Sequence, residues 1–202
     1  NESILETVNN LIKNTNISKY PLTLKIKIGV KPIQIEKSMI KNIINILPRN
    51  SRLRVDANGG LTRLEANDWT VFLKSESRLE WFEQPLPADD IEGLLDLSRE
   101  IPIALDESLL KDPSLRKSWP QWQIRKPLVE GDPRNLLKEL KQGAPYRVIS
   151  TAFETGIGRR WINHLAALQQ EGTTPTAPGL APEWIPNGGL FSKNPNQVWE
   201  SA

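Results

Sequence analysis

The chain has 202 residues, of which 38% are hydrophobic and 25% are charged, and its formal net charge at pH 7 is +2. With no cysteine and a single histidine, His164, the sequence excludes thiol nucleophiles, thiolate metal sites and metal sites built from several histidines. Interleaved basic and acidic residues argue against a nucleic-acid partner. The sequence shows neither a membrane-spanning apolar run nor a secretory start, so we expect a cytoplasmic protein.

Apolar residues recur with two alternating periodicities. Helical spacing predicts a helix over residues 2–14, and strict alternation predicts a strand over 21–29. Further helices are predicted at 35–47, 64–73, 91–99, 134–141 and 157–169, and further strands at 52–58, 79–85, 101–107, 121–127, 146–151 and 173–178. A tail rich in proline and glycine, residues 178–202, is predicted to be irregular.

This alternation predicts an α/β fold with a parallel sheet, either open or closed into a barrel. Successive strands end in a charged residue, namely Lys27, Asp56, Glu83, Asp106 and Lys126. In a barrel all these ends meet at one mouth, whereas an open sheet spreads them along an edge. We therefore expect a TIM-like (β/α) barrel, although 202 residues is near the lower limit, roughly 200, of a complete one.

Three of the strand-end residues are carboxylates, Asp56, Glu83 and Asp106. Three acids at one mouth repel each other unless a cation lies between them. Oxygen donors without histidine or cysteine favour a hard ion, so the pattern predicts Mg²⁺, with Mn²⁺ as a substitute. The alternative for each acid taken singly is a helix cap or a salt bridge in a loop.

Lys25 and Lys27 lie two residues apart and so share one face of their strand. Two neighbouring ammonium groups lower each other's pKa, so one of them can act as a base near neutral pH. Lys126 supplies a third cation at another strand end. The alternative is that the lysine pair is a solvated edge that prevents aggregation.

The ordered segments LKIKIG, RVDAN, WFEQP, ALDES and IRKP resemble the catalytic barrel of the enolase superfamily, muconate-lactonizing enzyme subgroup. STAFETGIG and APGL are most similar to segments of the o-succinylbenzoate synthase family. The resemblance implies a Mg²⁺-dependent hydro-lyase of menaquinone or phylloquinone biosynthesis. Its reaction is syn dehydration of 2-succinyl-6-hydroxy-2,4-cyclohexadiene-1-carboxylate to 2-succinylbenzoate through an enediolate, so the expected partner is a small carboxylate substrate.

The same resemblance implies roles for individual residues. It makes Lys27 the base and Lys126 a cation on the other face of the intermediate. It implies that the metal ligands are Asp56, Glu83 and Asp106, and that substrate-binding or supporting residues are Lys25, Asn58, Ser150 and Gly179. Lys25 would lower the pKa of Lys27. Asn58 can line the mouth or simply form the turn of its NGG segment, and His164 lies in a helical run and is not expected to be a ligand.

Related reactions on the same scaffold remain open, namely those of an N-succinylamino acid racemase or a muconate cycloisomerase. A dipeptide epimerase is disfavoured because TPTAPGL carries no acid. We expect residues 1–202 to form one catalytic barrel domain, strands two to eight, without the first strand and the N-terminal capping domain of the superfamily. A different class of function is an inactive barrel segment, or half of a split protein, that self-associates or needs a partner.

Overall fold

The computed structural model describes residues 2–14 and 21–202, and it divides the chain into two compact units, Asn1–Lys111 and Asp112–Ala202. Strands and helices alternate in each unit. Six strands lie in the described residues, and the ladders within each unit are parallel. The predicted α/β class is therefore confirmed.

The first unit contains four strands in chain order, β1 Thr23–Lys27, β2 Arg52–Asp56, β3 Leu79–Glu83 and β4 Ile103–Leu105. Its helices are α1 Glu2–Asn14, α2 Ile33–Ile46, α3 Arg63–Leu73, α4 Ile91–Ser98 and α5 Glu107–Lys111. Apolar residues of both kinds of element form the core, including the fully buried Leu53, Phe82, Ile40 and Trp69. Removing these side chains from water is the main stabilising contribution to the unit.

The second unit contains β5 Trp122–Arg125 and β6 Arg147–Ile149, which pair in parallel. Its helices are α6 Leu115–Ser118, α7 Arg134–Lys141, α8 Gly156–Gln170 and α9 Pro195–Glu200, and two short 3-10 helices span Pro182–Trp184 and Gly189–Phe191. The core joins α7, β6 and α8 through Leu136, Leu140, Ile149, Ile162 and Leu165. This packing fixes the strand ends that carry the candidate residues of this unit.

The exit from β1 is fixed by a buried carboxylate. Glu36 of α2 accepts hydrogen bonds from the backbone N–H groups of Gly29, Val30 and Lys31, at 2.9, 3.0 and 2.9 Å. Gly29 has a φ of +82°, a conformation that a residue with a side chain rarely adopts. The chain therefore leaves the strand in one defined direction immediately after Lys27.

The predicted strand at 173–178 is wrong. None of residues 173–178 lies in a strand, and Gly179, which follows them, forms a single parallel bridge to Ser150. Pro175 and Pro178 have no N–H to donate to a ladder, which explains why the segment does not continue as a strand. The tail, predicted to be irregular, contains α9 and the two 3-10 helices, and the connector after β4 contains the short helices α5 and α6.

The other predicted elements are confirmed to within a few residues at each end, and α1 coincides with its prediction. His164 lies exposed on α8, in agreement with the helical pattern. In the parts of the chain that the structure covers, no helix has the length and apolar character needed to cross a bilayer.

Candidate active site

The carboxyl ends of β1, β2 and β3 are level with one another. In the parallel register Lys27 lies opposite Asp56, and Asp56 lies opposite Glu83. Residues in register on parallel strands project to the same face of the sheet. The structure thus brings together three of the residues that the sequence predicted for one site.

Lys25 joins the two carboxylates. Its Nζ lies 2.7 Å from Asp56 Oδ2 and 2.5 Å from Glu83 Oε1. Both carboxylates are 1% exposed, whereas the lysine side chain is 39% exposed. Glu83 also accepts a hydrogen bond from Trp81 Nε1 at 3.0 Å. The two acids therefore surround a common position that already holds a positive charge.

Burial and mutual repulsion set the ionisation of this group. Burial, reinforced by the negative charge of Asp56, raises the pKa of Glu83 to about 7, although Lys25 acts in the opposite direction. Burial lowers the pKa of Lys25, but Glu83 and Asp56 outweigh burial and raise that pKa above its ordinary value. Lys25 is therefore the counter-ion of the carboxylates, and the lowered pKa expected for one lysine of the pair does not belong to Lys25.

Lys27 contacts a different group. Its Nζ donates a hydrogen bond to Asn58 Oδ1 at 2.7 Å. The amide of Asn58 is oriented by Glu107, whose Oε1 accepts from Asn58 Nδ2 at 3.2 Å, and by its own backbone N–H, which donates to Asp56 Oδ1 at 3.0 Å. Asn58 has a φ of +47°, which asparagine tolerates in turns. Asn58 therefore forms the turn and also contacts a candidate catalytic lysine, while its predicted substrate-binding or supporting role stays a prediction.

Asp106 directly follows β4 and is positioned by Gln84. The Oε1 atom of Gln84 accepts from the backbone N–H groups of Asp106 and Ser108, each at 3.1 Å. Its Nε2 donates to Leu86 O at 2.9 Å and to Ser108 Oγ at 2.8 Å. Gln84 is fully buried. Its amide thus ties the end of β3 to the segment that carries Asp106.

Two residues of this network, Gln84 and Glu107, were not predicted as site residues. Each directly follows a predicted metal ligand, Gln84 after Glu83 and Glu107 after Asp106. That adjacency was the available signal, because a polar residue next to a strand-end acid lies at the same mouth. Their hydrogen-bond partners depend on loop geometry, which strand periodicity does not contain.

The donor set fits a hard divalent cation in part. Asp56 and Glu83 offer buried carboxylate oxygens that already converge on one cation, Lys25, and such oxygens suit Mg²⁺. Among residues 2–14 and 21–202, however, no three side chains of Asp, Glu, His or Cys are grouped closely enough to hold a metal ion. The two-carboxylate pair therefore fits the metal, and Asp106 as a third ligand stays a prediction.

Lys126, in the second unit, directly follows β5. Its backbone N–H donates to Glu130 Oε1 at 2.7 Å, and its carbonyl accepts from the N–H of Val129 at 3.0 Å. The backbone of this candidate lysine is consequently fixed on both sides by its own loop.

Ser150 and Gly179 are brought together in the same unit. Ser150 Oγ donates to Gly179 O at 3.2 Å, and a Cβ on Gly179 would lie 2.8 Å from that hydroxyl. The nearby Gly158 serves packing in the same way, because a Cβ there would lie 2.4 Å from Leu128 Cδ1. These contacts explain the glycines structurally, while the predicted substrate-binding roles of Ser150 and Gly179 stay predictions.

Comparison with known proteins adds the family. The model of the "Enolase C-terminal domain-like" family matches residues 18–117, which include Lys25, Lys27, Asp56, Glu83 and Asp106. The matched residues, just under half of the chain, therefore belong to the enolase C-terminal domain-like family. This match agrees with the resemblance noted from the ordered sequence segments.

The chain is also similar to individual enolase-superfamily proteins. It is 36% identical to the o-succinylbenzoate synthase of Thermosynechococcus vestitus over 153 residues, which are 71% of this chain and 48% of that protein. It is 29% identical to muconate cycloisomerase 1 of Rhodococcus opacus over 110 residues, 54% of this chain and 28% of that protein. The chain therefore aligns with about half the length, or less, of these curated relatives.

The fold is also similar to that of a solved structure. The crystal structure of o-succinylbenzoate synthase from Thermosynechococcus elongatus BP-1, complexed with Mg in the active site, superposes with a TM-score of 0.76 at 31% identity. The match covers 92% of this chain and 61% of that one. The predicted TIM-like (β/α) barrel class is thereby confirmed.

Proposed function

We propose that this chain carries the catalytic residues of an o-succinylbenzoate synthase, a hydro-lyase that converts 2-succinyl-6-hydroxy-2,4-cyclohexadiene-1-carboxylate to 2-succinylbenzoate. The observation that carries the proposal is that Asp56 and Glu83 both pair with the ammonium group of Lys25, in register with Lys27 at the end of β1. The 36% identity to an o-succinylbenzoate synthase supports this reaction over others of the superfamily. The pathway would be that of menaquinone or phylloquinone, in the cytoplasm.

The metal would be Mg²⁺, or Mn²⁺ in its place, held by Asp56 and Glu83 with Asp106 as a third ligand. When bound, it supplies the positive charge that an anion forming at the substrate carboxylate requires. In its absence Lys25 already neutralises part of the charge of Asp56 and Glu83. We assign to Lys25 a contact with the substrate carboxylate, because its side chain is 39% exposed and Glu83 and Asp56 raise its pKa, which favours the charged form.

Lys27 is the proposed base. In its neutral form it takes the proton from the carbon next to the substrate carboxylate, and the electrons of that C–H bond form the enediolate. The C–O bond to the ring hydroxyl then breaks, and protonated Lys27 returns the proton to the departing oxygen, so that water leaves and the ring becomes aromatic. Asn58, which accepts a hydrogen bond from Nζ, orients Lys27 before the transfer.

Lys126 is the proposed second cation. An ammonium group near the ring would stabilise the anion electrostatically, with a cation–π contribution as the ring becomes aromatic. The fixed backbone at this residue supports such a role, since stabilisation of this kind requires a pre-organised charge.

A second candidate, muconate cycloisomerase, is favoured by the 29% identity to an enzyme of that name. An N-succinylamino acid racemase would use the same two lysines, because it too removes a proton next to a carboxylate. Both alternatives share the site and differ in the substrate that the surrounding residues accept.

The proposal is tested by offering the purified protein three substrates with Mg²⁺. Chromatography measures the formation of 2-succinylbenzoate. Mass spectrometry measures the incorporation of deuterium from D₂O into an N-succinylamino acid, and absorbance measures the conversion of muconate. We expect dehydration to be the fastest reaction. Faster deuterium exchange would favour the racemase, and faster muconate conversion the cycloisomerase. If none of the three substrates reacts with either Mg²⁺ or Mn²⁺, the proposal is wrong.

A further inference from the structure

The carboxylate of Glu130 binds two consecutive residues at the end of β5. Its Oε2 accepts from Arg125 Nη2 at 2.7 Å and from Arg125 Nε at 2.9 Å. Its Oε1 accepts from the same Nε at 3.0 Å and from the backbone N–H of Lys126 at 2.7 Å. The side chain of Glu130 is 5% exposed and that of Arg125 is 3% exposed. A buried, charged, bidentate pair is thus attached directly to the backbone of the candidate lysine.

The loop from Lys126 to Glu130 closes on itself. Val129 donates its N–H to the carbonyl of Lys126 at 3.0 Å, and Arg116 Nη1 donates to the backbone carbonyl of Glu130 at 3.1 Å. Pro127, directly after Lys126, restricts φ within the turn. Both backbone polar groups of Lys126 and the far end of its loop are therefore held in place.

Stability alone does not explain a buried ion pair of this kind. The cost of removing two charges from water commonly offsets the attraction between them, and an apolar pair of similar volume is often at least as stable. A bidentate guanidinium–carboxylate pair does supply directional geometry. Here the direction matters, because the pair with Arg125 holds Oε1 where it also accepts from the N–H of Lys126.

Glu139 provides an internal comparison. Its Oε2 accepts from Arg125 Nη1 at 2.9 Å and from Arg147 Nε at 2.6 Å, so it is a second carboxylate on the same guanidinium. The hydrogen bonds of Glu139 involve the two arginines, whereas that of Glu130 reaches the backbone of Lys126. Both glutamates pair with Arg125, but only the Glu130 side chain binds the backbone N–H of Lys126. Comparing variants of the two therefore distinguishes the effect of the charge pair from that of the contact with Lys126.

We propose that Glu130 is a positioning residue for Lys126, setting the backbone direction from which the ammonium group is presented to the substrate. Its functional consequence rests on the proposed role of Lys126 in the reaction. Glu130 binds both the side chain of Arg125, the last residue of β5, and the backbone N–H of Lys126, which directly follows the strand. Misplacing a catalytic group by about 1 Å can lower a rate by about a hundredfold, so this backbone contact is expected to affect kcat.

The test uses three variants of the whole chain. Glu130→Asp keeps the charge but shortens the side chain, so that it does not reach Arg125 and the Lys126 N–H together. Glu130→Gln keeps the length and an acceptor oxygen but removes the charge. Glu139→Asp is the control, since it disturbs Arg125 without contacting Lys126. Hydrogen exchange of the Lys126 amide is measured by NMR, and kcat and KM are measured with the substrate of the proposed reaction.

We expect Glu130→Asp to speed exchange of the Lys126 amide about tenfold or more and to lower kcat about tenfold, with KM changed less than about twofold. Glu139→Asp should stay within about threefold of the unmodified protein in both measurements. Glu130→Gln keeps one acceptor oxygen for the Lys126 N–H but turns a donor towards Arg125, so it should lie between that control and Glu130→Asp. If Glu130→Gln is more damaging than Glu130→Asp, or if both glutamates behave alike, the charge pair is merely structural and the inference is wrong. If the unmodified protein turns over none of the substrates, the proposed function fails, and the exchange rates still decide whether Glu130 fixes the Lys126 backbone.

Discussion

Lys27 donates a hydrogen bond to Asn58 across 2.7 Å, from the end of β1 to the turn that follows β2. The acceptor is itself oriented, because Asn58 Nδ2 donates to Glu107 at 3.2 Å. An amide held in this way offers its oxygen, and not its nitrogen, to the lysine. The contact restricts an otherwise flexible side chain before any substrate arrives, and this has a measurable consequence.

Replacing Asn58 with glycine should lower kcat about tenfold while leaving the fold intact. Glycine accepts the positive φ of +47° without strain, so the change removes the amide and leaves the turn. The loss follows from the freedom that Lys27 regains. The measurement is steady-state kinetics together with the melting temperature. Glu107→Gln, which keeps an acceptor for Nδ2, is the matched control and should stay near the original kcat. An unchanged kcat in Asn58→Gly would show that the contact has no role in turnover.

Lys27→Ala should abolish turnover and leave metal binding intact. Lys27 is the proposed base, whereas the carboxylates that would bind the metal, Asp56 and Glu83, are paired with Lys25. Binding is measured with Mn²⁺ by electron paramagnetic resonance, and turnover by product formation. Lys41→Ala, on an exposed position of α2, is the control for loss of a lysine and should retain normal activity. A Lys27→Ala variant that works at a near-normal rate would exclude Lys27 as the base.

The buried Glu83 should make the stability of the metal-free protein depend on pH. Its pKa is raised from 4.5 to about 7 on folding, so the folded state binds the proton more tightly than the unfolded state. The contribution of this group is therefore fully present below pH 4.5 and is lost as the pH rises through 7. Its size is at most about 3 kcal/mol. Urea unfolding from pH 4.5 to 8 measures it, with Glu83→Gln as the control that lacks this titration. Equal pH profiles for the two proteins would contradict the prediction.

Mg²⁺ should reverse that trend. A carboxylate must be deprotonated to bind a metal ion, so the stabilisation by Mg²⁺ should grow as the pH rises from about 5 to 8. The melting temperature with Mg²⁺ is compared with that in a chelator at each pH. The same comparison is made with Lys25→Met, which lacks the ammonium group that pairs with Asp56 and Glu83. Mg²⁺ should stabilise this variant more than the original protein. Stabilisation that is absent, or equal at every pH, would count against a metal held by these carboxylates.

The order of elements could be predicted because apolar periodicity reports directly on which face of a helix or strand is buried. The helix Glu2–Asn14 and the strand that ends at Lys27 are examples. The segment 173–178 was predicted as a strand, and the burial of its residues does alternate. It forms no strand because Pro175 and Pro178 have no N–H to donate to a ladder. Periodicity does not detect a missing N–H.

The site was predictable in its residues but not in its pairings. Lys25 and Lys27 were expected to act on each other, since they share a strand face. In the structure each lysine has its own acceptor, Lys25 the two carboxylates and Lys27 the amide of Asn58. Which acceptor a long side chain reaches depends on register and loop conformation. Neither is encoded in the spacing of two residues along one strand.

Gln84 provides the last prediction, since the sequence places it between a candidate metal ligand and a proline. Its buried amide makes four hydrogen bonds, two of them accepted from the backbone N–H groups of Asp106 and Ser108. Gln84→Ala should therefore lower the free energy of unfolding by about 2–4 kcal/mol, because buried donors and acceptors lose their partners.

Gln84→Glu distinguishes this role from simple packing. Glutamate has the same shape and can still accept from Asp106 and Ser108, but an ionised carboxylate cannot donate to Leu86 O or Ser108 Oγ. We expect a stability between those of the original protein and Gln84→Ala, and a loss that shrinks at low pH, where the protonated acid regains one donor. Urea unfolding at pH 5 and pH 8 measures both effects. A Gln84→Glu protein as stable as the original at pH 8 would show that the two donated hydrogen bonds contribute nothing to holding the Asp106 segment.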